Sequence, residues 1–595
     1  MKAQFTFSLF FILFLTSCQI SGVNTLSETE QLNLFLDQRY DMAVDRWPEW
    51  QSYLGIKKDY DKLNDISEAN SLHEINIAKE EIDLLKKFNY SKLDEQGKIS
   101  YDLFIKKKQQ QIDDYQWRYY NYPINQLFSW HSDLPAFLIN IHQIQTKKDA
   151  EDYIARINAI PSQAKEILLG LKNREQLGII PPRFVFPYVT KSIQELLSGQ
   201  PFKGDKPSTL LKDFSTKIEK LNLPPTEKDD LQMKVTEALK MAYQPSLQSL
   251  LSYWKTLEKK ASQKDGIWQF KDGDKYYQTR LNRYTTTEMS AESIHELGLS
   301  EVARIHQEMQ TIQKQLGIQG TLKGFFKHIL SNPKLQYANT DKGREQFLEE
   351  TQKLIANIKS KLPLQFGTLP KAELLVKAVE PFREKSSASA FYSAAAPDGS
   401  RPGIYYVNLS NMKEQPKFKM PALTFHETIP GHHLQLSISR ELKNIPKFRK
   451  YGGFTAYTEG WGLYAEYIPK EMGFYQDLYE DFGRLSMELL RALRLVVDTG
   501  IHYKKWSREK AIQYTLENSA QDRAEVVRQV ERYIVNPGQA VAYKIGMMKI
   551  LELRKKAQEL KGAKFKITEF HDEVLKYGAL PLDVLEKRIL AWATQ

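Results

Sequence analysis

Apolar residues recur every three or four positions along most of the chain. Residues 32–44, 150–171 and 231–257 show this spacing most clearly. Because an α-helix has 3.6 residues per turn, the spacing gathers apolar side chains on one helix face. Loops marked by proline, at residues 121–135 and 179–187, separate the helical runs. The pattern therefore predicts a mainly α fold.

Two stretches depart from the helical pattern. Residues 268–287 carry an Asp-Gly-Asp turn between aromatic runs, which is typical of a β-hairpin or an irregular strand pair. This stretch is the predicted lobe boundary, and Ser290 is the predicted N-cap of the helix that follows. Residues 404–409 are rich in β-branched and aromatic side chains, so they predict a short strand before a helix that starts near Pro421.

The length of 595 residues exceeds what one hydrophobic core usually supports, so two or more packed lobes are predicted. We place an N-terminal lobe at residues 31–288 and a catalytic lobe at residues 289–595. A hydrophobic fraction of 42% and a charged fraction of 26% are typical of a globular protein. The net charge of +11 is spread over runs of mixed sign, which argues against nucleic acid as a partner.

The N-terminus carries a targeting signal. An apolar run at residues 5–15 follows Lys2 and precedes the tetrapeptide Leu-Thr-Ser-Cys that ends at Cys18. The run is too short for a helix that crosses about 30 Å of hydrocarbon, so it predicts a removable signal rather than a permanent span. Cys18 is the only cysteine, which excludes an internal disulfide.

This segment resembles a bacterial lipoprotein signal peptide. The resemblance implies that residues 1–17 are removed, that Cys18 is lipidated, and that residues 18–30 form a lipidated tether to the membrane. Gln19 indicates the outer membrane of the cell envelope, with the protein facing the periplasm. The alternative is an ordinary secretory signal, but no Ala-x-Ala cleavage site follows the apolar run.

A His-Glu pair lies in the helix predicted after the strand. In zinc peptidases, two histidines four residues apart on one helix bind the metal and the glutamate beside the first is the general base, while an edge strand aligns the peptide. Here Pro430 occupies the position four after His426, so the plain motif is broken. If Pro430 and Gly431 loop out of the helix as a bulge, His432 takes the place of the second histidine. His433 is the reserve candidate.

A catalytic zinc site usually needs a third protein ligand. Glu459 follows His432 by 27 residues, at the start of a second predicted helix. Glu466, two helical turns further on, is either a reserve ligand or a carboxylate that holds one of the histidines. Isolated histidines more often pack in a core than bind metal, but three of the eleven histidines lie within eight residues. The sequence therefore predicts a zinc site.

Several motifs resemble a bacterial family known as domain of unknown function 885. They are the segments at residues 426–435, 459–461, 497–502 and 532–546. The family is grouped with zinc metallopeptidases. The resemblance implies a zincin-like catalytic lobe with a small β element, and two helical lobes around a deep active-site channel.

The expected activity is hydrolysis of short or unfolded peptides, with Glu427 as the general base on water bound to zinc. Tyr543 is the leading candidate for a hydrogen-bond donor to the oxyanion, and Tyr533 is the second. Two alternatives stay open: a lipid-anchored module that binds peptides without turnover, and a metal-dependent amidase of cell-wall peptides. Catalytic cysteine, Gly-x-Ser-x-Gly and phosphate-loop signatures are absent from the sequence.

Other polar residues around these motifs complete the predicted site. Arg494, Asp498 and His502 recur at four-residue spacing, and they are either site residues or a surface ladder of charged pairs. His502 is a further catalytic candidate. The substrate-binding candidates are Arg401, Tyr406, Asn408, Arg494 and Arg532. The expected partners are a peptide substrate and the membrane.

Overall fold

The computed structural model describes residues 26–380, 384, 388–396 and 401–595. The signal peptide and Cys18 therefore lie outside the described residues. The first half of the chain is helical, as predicted, and its helices are α1 (Glu28–Asp45), α2 (Pro48–Tyr53), α3 (Glu68–Leu85), α4 (Glu95–Asp114), α5 (Trp130–Asn140), α6 (Lys147–Gln176), α7 (Val185–Leu196), α8 (Thr209–Glu219), α9 (Pro225–Ala238), α10 (Gln244–Glu258) and α11 (Gly273–Thr285).

The second half adds a small sheet to a further set of helices. The strands are β1 (Leu374–Ala378), β2 (Ala390–Ser393) and β3 (Gly403–Val407). The helices are α12 (Ala291–Gln315), α13 (Leu322–Ser331), α14 (Asp341–Lys361), α15 (Met420–Glu427), α16 (His432–Glu441), α17 (Lys447–Lys450), α18 (Thr455–Glu471), α19 (Leu478–His502), α20 (Arg508–Asn518), α21 (Arg523–Val535), α22 (Ala542–Lys561), α23 (Ile567–Leu575) and α24 (Leu582–Ala593).

The predicted strand at residues 404–409 is confirmed, but its place in the sheet differs from the expectation. β3 is the central strand and pairs in parallel with β1, Leu374 opposite Gly403, and antiparallel with β2, Ala390 opposite Val407. The edge strands are β1 and β2. In the zinc-peptidase layout the strand beside the metal lies at an edge, and β3 departs from that layout because β1 and β2 cover both of its sides.

The strand pair predicted at residues 268–287 was also wrong. Residues Gly273–Thr285 form helix α11, and Asp272 takes a left-handed conformation just before it. Tyr276, Tyr277 and Leu281 are buried on one face of this helix. The spacing of these three residues fits a helix, and packing against the rest of the protein outweighs the β preference of the aromatic side chains.

The largest apolar cluster runs from Leu32 in α1 to Ala593 in α24, so both halves of the chain contribute to one continuous core. The helix predicted after Ser290 is confirmed as α12, and the Ser290 hydroxyl caps it by accepting a hydrogen bond from the Ser293 N–H. The division into two lobes at residue 288 stays a prediction. Within the described part of the chain, none of the helices has both the length and the apolar character that a membrane crossing requires.

Helices α18 and α22 approach each other closely through glycine. A β-carbon on Gly460 would lie 2.5 Å from the Gly546 Cα atom, and one on Gly546 would lie 1.8 Å from the Ala456 carbonyl oxygen. Both distances are far below van der Waals contact, so only glycine permits this crossing. The crossing places the segment that follows Tyr543 against the helix that carries Glu459.

Candidate metal centre

The His-Glu motif lies across a break between two short helices. α15 ends at Glu427, α16 begins at His432, and a cis peptide bond precedes Pro430 between them. The prediction of one helix with a two-residue bulge was therefore wrong. Proline has no N–H to continue the helix, and a side chain on Gly431 would come within 2.0 Å of the His426 carbonyl oxygen.

The break nevertheless brings the predicted ligands together. Ligand atoms of His426, His432 and Glu459 all lie within 4.8 Å of one another. Glu459 Oε2 lies 3.6 Å from His426 Nε2 and 3.5 Å from His432 Nε2. The three residues come from the end of α15, the start of α16 and the first turns of α18. Tertiary packing thus assembles one cluster from three separate helices.

A glycine in α18 gives the two imidazole rings their space. A β-carbon on Gly462 would lie 2.8 Å from Cε1 of His426 and 3.0 Å from Cε1 of His432. The Trp461 indole N–H, on the same helix, donates to the Pro430 carbonyl oxygen at 2.9 Å. Gly462 and Trp461 therefore hold the break between the helices and both rings against α18.

Carboxylates dominate the electrostatics of the cluster. Burial lowers the pKa of His426, but hydrogen bonds with Glu459 and Glu466 outweigh it and raise this pKa to about 10. Burial raises the pKa of Glu459, but His426 and His432 outweigh it and hold this pKa well below its usual range. The site is therefore built to hold positive charge at its centre.

The donor set fits zinc. Tetrahedral coordination with bonds of about 2.0–2.2 Å separates ligand atoms by roughly 3.3–3.6 Å, and the two Nε2–Oε2 distances of 3.6 and 3.5 Å match it. The His426 Nδ1–H donates to Glu466 Oε1 at 2.8 Å, which directs Nε2 towards the cluster, as carboxylates do behind metal-bound histidines. In this arrangement Glu466 holds a histidine, the second of its two predicted roles.

The family described as "Bacterial protein of unknown function (DUF885)" matches residues 48–589. The chain belongs to this family. The family resemblance read from the motifs is thereby confirmed, and the match covers the complete cluster. Among curated proteins, none matches the chain significantly.

Two solved structures resemble this DUF885 protein over nearly its whole length. A protein of Colwellia psychrerythraea, provisionally named a lipoprotein, is 30% identical, with a TM-score of 0.87 over 96% of this chain and 100% of its own. A protein of Shewanella oneidensis of unknown function, also provisionally named a lipoprotein, is 20% identical, with a TM-score of 0.73 over 95% of this chain and 100% of its own. The first similarity indicates an association with the cell envelope, and the second shows the shared fold.

Glu427, the predicted general base, lies at the end of the helix that carries His426. It is the last residue of α15, directly after His426, and its side chain is buried. Burial and the nearby charge of Glu427 both raise the pKa of the Tyr405 phenol in β3. The central strand therefore runs beside the carboxylate of the predicted base.

His433, the reserve ligand, points away from the cluster. Its Nδ1 lies 2.9 Å from the Tyr392 hydroxyl in β2, and burial lowers its pKa to about 4. A β-carbon on Gly403 would lie 2.8 Å from the same nitrogen. His433 therefore joins α16 to the sheet, and the geometry favours His432 over His433 as the second candidate ligand.

The two tyrosine candidates have different surroundings. The Tyr533 hydroxyl donates to Gln529 Oε1 at 2.9 Å and accepts from Arg494 Nε at 3.1 Å. Its proton is therefore already used in a hydrogen bond within the protein. The Tyr543 ring is half-buried and lies close to Arg491 and Arg494, with its centroid 5.7 and 4.6 Å from their guanidinium carbons. Tyr543 therefore stays the leading candidate of the two.

A buried ion network fixes the helix that begins beside Tyr543. Lys544 is fully buried, and its Nζ lies 2.6 Å from Glu488 Oε1 in α19 and 2.8 Å from Glu301 Oε2 in α12. Arg304 pairs with both of these glutamates. Breaking such a buried network leaves uncompensated charge, so it holds the first turn of α22 firmly in place.

The ladder predicted in α19 is buried rather than exposed, so the surface alternative was wrong. Asp498 Oδ1 accepts from the Tyr277 hydroxyl at 2.6 Å and from the Gly538 N–H at 3.0 Å. His502 Nδ1 accepts from the Ile267 N–H at 3.1 Å, and its Nε2–H donates to the Tyr533 carbonyl oxygen at 3.0 Å. Both nitrogens of His502 are thus used by backbone groups, outside the metal cluster.

The remaining substrate-binding candidates mainly make contacts with neighbouring parts of the protein. Arg401 donates to the Ala394 carbonyl oxygen at 2.7 Å, and Asn408 donates to the Glu384 carbonyl oxygen at 2.6 Å. The Tyr406 ring stacks on Phe391 of β2 at 5.1 Å, and Arg532 hydrogen-bonds with Gln539. These contacts order the sheet and the turn before α22.

Two residues at the centre escaped the sequence analysis. Gly462 was passed over because a glycine in a helix carries no chemistry of its own. Arg491 was passed over because only a four-residue ladder was sought in α19. It lies three residues before Arg494, so it shares that residue's helix face, and a search for i,i+3 neighbours would have found it.

Proposed function

We propose that this protein is a zinc-dependent peptidase of the bacterial cell envelope. The observation that carries the proposal is the convergence of His426, His432 and Glu459 within 4.8 Å, with Glu427 directly after the first ligand. Two imidazoles and one carboxylate are the ligand set typical of zinc peptidases, and three protein ligands leave one coordination position free.

When bound, zinc supplies a Lewis acid that polarises the scissile carbonyl group and makes water a stronger acid. Glu427 accepts the proton of the attacking water and passes it to the leaving amine nitrogen. The Tyr543 hydroxyl donates a hydrogen bond to the developing oxyanion. Glu466 keeps His426 in the orientation and the tautomer that a ligand needs.

The test combines elemental analysis of the purified protein with digestion of a peptide library. We expect about one zinc per chain and cleavage that a chelator stops and added zinc restores. Zinc without cleavage of any peptide would favour a binding module, and cleavage of peptidoglycan fragments alone would favour a cell-wall amidase. A protein purified under metal-replete conditions without zinc would refute the metal centre.

We also propose that Cys18 carries a lipid that holds the protein on the outer membrane, facing the periplasm. The lipoprotein-like signal supports this, as do the two structural relatives that are provisionally named lipoproteins. Cys18→Ala should move the protein out of the membrane fraction. Recovery of this variant in salt-washed membranes, correctly cleaved, would refute the lipid anchor.

A further inference from the structure

Two buried guanidinium groups lie beside the metal centre. Arg491 and Arg494 are each only 5% exposed and lie on the same face of α19. Both lie within 6 Å of the Tyr543 ring. Two cations this close repel each other, and both lose their hydration, so the pair is costly unless an anion compensates it.

The described protein provides little of that compensation. The carboxylate nearest to Arg491 is Glu466, with Nη2 3.6 Å from Oε1, and that oxygen already accepts from His426. Arg494 hydrogen-bonds with two neutral groups, the Tyr533 hydroxyl and the Gln529 side-chain amide. Among the described residues, no carboxylate oxygen lies within ion-pair distance of Arg494.

Each guanidinium group also has one nitrogen without a hydrogen-bond partner among the described residues. Arg494 Nη1 and Arg491 Nε are buried, and neither has a hydrogen-bond partner in the part of the chain that the structure describes. Buried donors are normally paired, because an unpaired one costs about 1–3 kcal/mol and more when it is charged. Arg494 Nη1 is thus an unused charged donor.

The two arginines interact with both carboxylates of the metal centre, Glu466 and Glu459. Arg491 shares Glu466 with His426. Burial lowers the pKa of Arg494, but Tyr533, Tyr543 and the charge of Glu459 together raise it, so Glu459 acts on this guanidinium through space. An anion bound by the two arginines would therefore sit next to the reacting groups.

We propose, on the basis of the proposed peptidase function, that Arg491 and Arg494 bind the C-terminal carboxylate of the substrate, so that the enzyme cleaves near the C-terminal end of peptides. A guanidinium group matches a carboxylate in shape and charge and binds it through two parallel hydrogen bonds. A peptide N-terminus carries an ammonium group, which this pair repels. The positive charge of the two guanidinium groups thus determines the direction of the bound peptide, with its C-terminus towards the arginines.

The test is calorimetric binding to full-length, zinc-loaded Glu427→Gln protein, in which peptides stay intact. The ligands are tetra-alanine with a free C-terminus, its C-terminal amide, and an amidated tetrapeptide with one glutamate in place of an alanine. We expect the free acid to bind about 10- to 100-fold more tightly than either amide, as charged hydrogen bonds of about 1.5–3 kcal/mol predict.

Arg494→Gln in the same background should abolish the preference for the free acid. Arg491→Gln serves as the second variant and should only weaken the preference, because the Glu466 carboxylate already compensates part of the charge of Arg491, whereas Arg494 hydrogen-bonds with neutral groups. The matched control is Arg528→Gln, which removes an equal charge from an exposed position of α21 and should keep the preference. Zinc content checks that each variant keeps its metal centre.

Equal affinity for the free acid and the plain amide would overturn the carboxylate receptor, even if the wild-type protein hydrolyses peptides. Tight binding of the glutamate-bearing amide would reassign the receptor to acidic side chains and overturn the C-terminal assignment. Selective binding of free acids by a wild-type protein that cleaves nothing would refute the peptidase and leave the receptor standing. The two proposals therefore fail separately.

Discussion

Two buried histidine regions of this protein differ in what their imidazoles contact. In the candidate metal cluster, His426 and His432 lie beside the carboxylate of Glu459, and the Glu466 carboxylate contacts the far side of the His426 ring. Around His502, both ring nitrogens meet backbone groups. Burial lowers the pKa of His502 to about 4, whereas the carboxylates raise that of His426 to about 10.

The comparison shows that burial and residue type do not by themselves make a histidine a ligand. His502 and His426 are almost equally inaccessible to solvent. They differ in the partners of their ring nitrogens. The nitrogens of His426 face carboxylates, whereas those of His502 hydrogen-bond with backbone groups of other chain segments.

Replacing His432 by alanine should abolish both stoichiometric zinc and hydrolysis, because one of three ligands is lost. His433→Ala removes the neighbouring imidazole, which contacts the sheet, and should keep the zinc. Elemental analysis after extensive dialysis measures both. Loss of zinc in His433→Ala together with full zinc in His432→Ala would transfer the ligand role to His433.

Glu427→Gln should lower kcat by about a hundred- to ten-thousand-fold, since the amide cannot accept the proton from water. Zinc content should stay near one per chain. The matched control is Glu559→Gln on the exposed face of α22, which should hydrolyse peptides at the wild-type rate. Near-normal turnover in metal-loaded Glu427→Gln would falsify the role of this residue.

Glu466→Gln should weaken zinc binding by roughly 10- to 100-fold, because the amide holds the Nδ1–H of His426 less firmly than the carboxylate does. Competition with a chromogenic chelator measures the affinity. Glu471→Gln, further along α18 and paired with Arg554, should leave it unchanged. Equal affinities in wild type and Glu466→Gln would mean that packing alone orients His426.

Asp498→Asn should change the pH dependence of stability without affecting zinc or hydrolysis. Burial raises the pKa of Asp498 from 3.8 to about 7. Between pH 4 and pH 7 the native state therefore binds more protons than the unfolded state, so this group makes the free energy of unfolding fall as pH rises, by about 4 kcal/mol at most.

In Asp498→Asn that part of the decline should disappear, while the Tyr277 hydroxyl can still donate to the side-chain oxygen. Urea unfolding at pH 4.5 and pH 7.5 measures the change, with the wild-type protein as reference. An identical decline in the two proteins would show that Asp498 titrates normally in the folded state. Loss of zinc from Asp498→Asn would show that the region around Asp498 also supports the metal centre. The two histidine regions would then no longer differ in this respect.

Much of the site could be predicted because its chemistry is local in the sequence. His426, Glu427 and His432 lie within seven residues, and Glu459 follows His432 by only 27 residues. The helical spacing likewise predicted α1, α6 and α12. Residues 268–287 were misassigned, because aromatic side chains favour strands in isolation and the packing that overrides this preference is contributed by distant segments.

The helical class, the family and the candidate ligands His426 and Glu459 follow from the sequence alone, since they depend on periodicity and on closely spaced motifs. The tertiary structure alone favours His432 over His433 as a candidate ligand, because the break after Glu427 turns one ring towards Glu459 and the other towards Tyr392. It also decided that β3 is a central strand, and that Arg491 and Arg494 meet at Tyr543. Those outcomes depend on contacts between segments far apart in the chain, which no local pattern records.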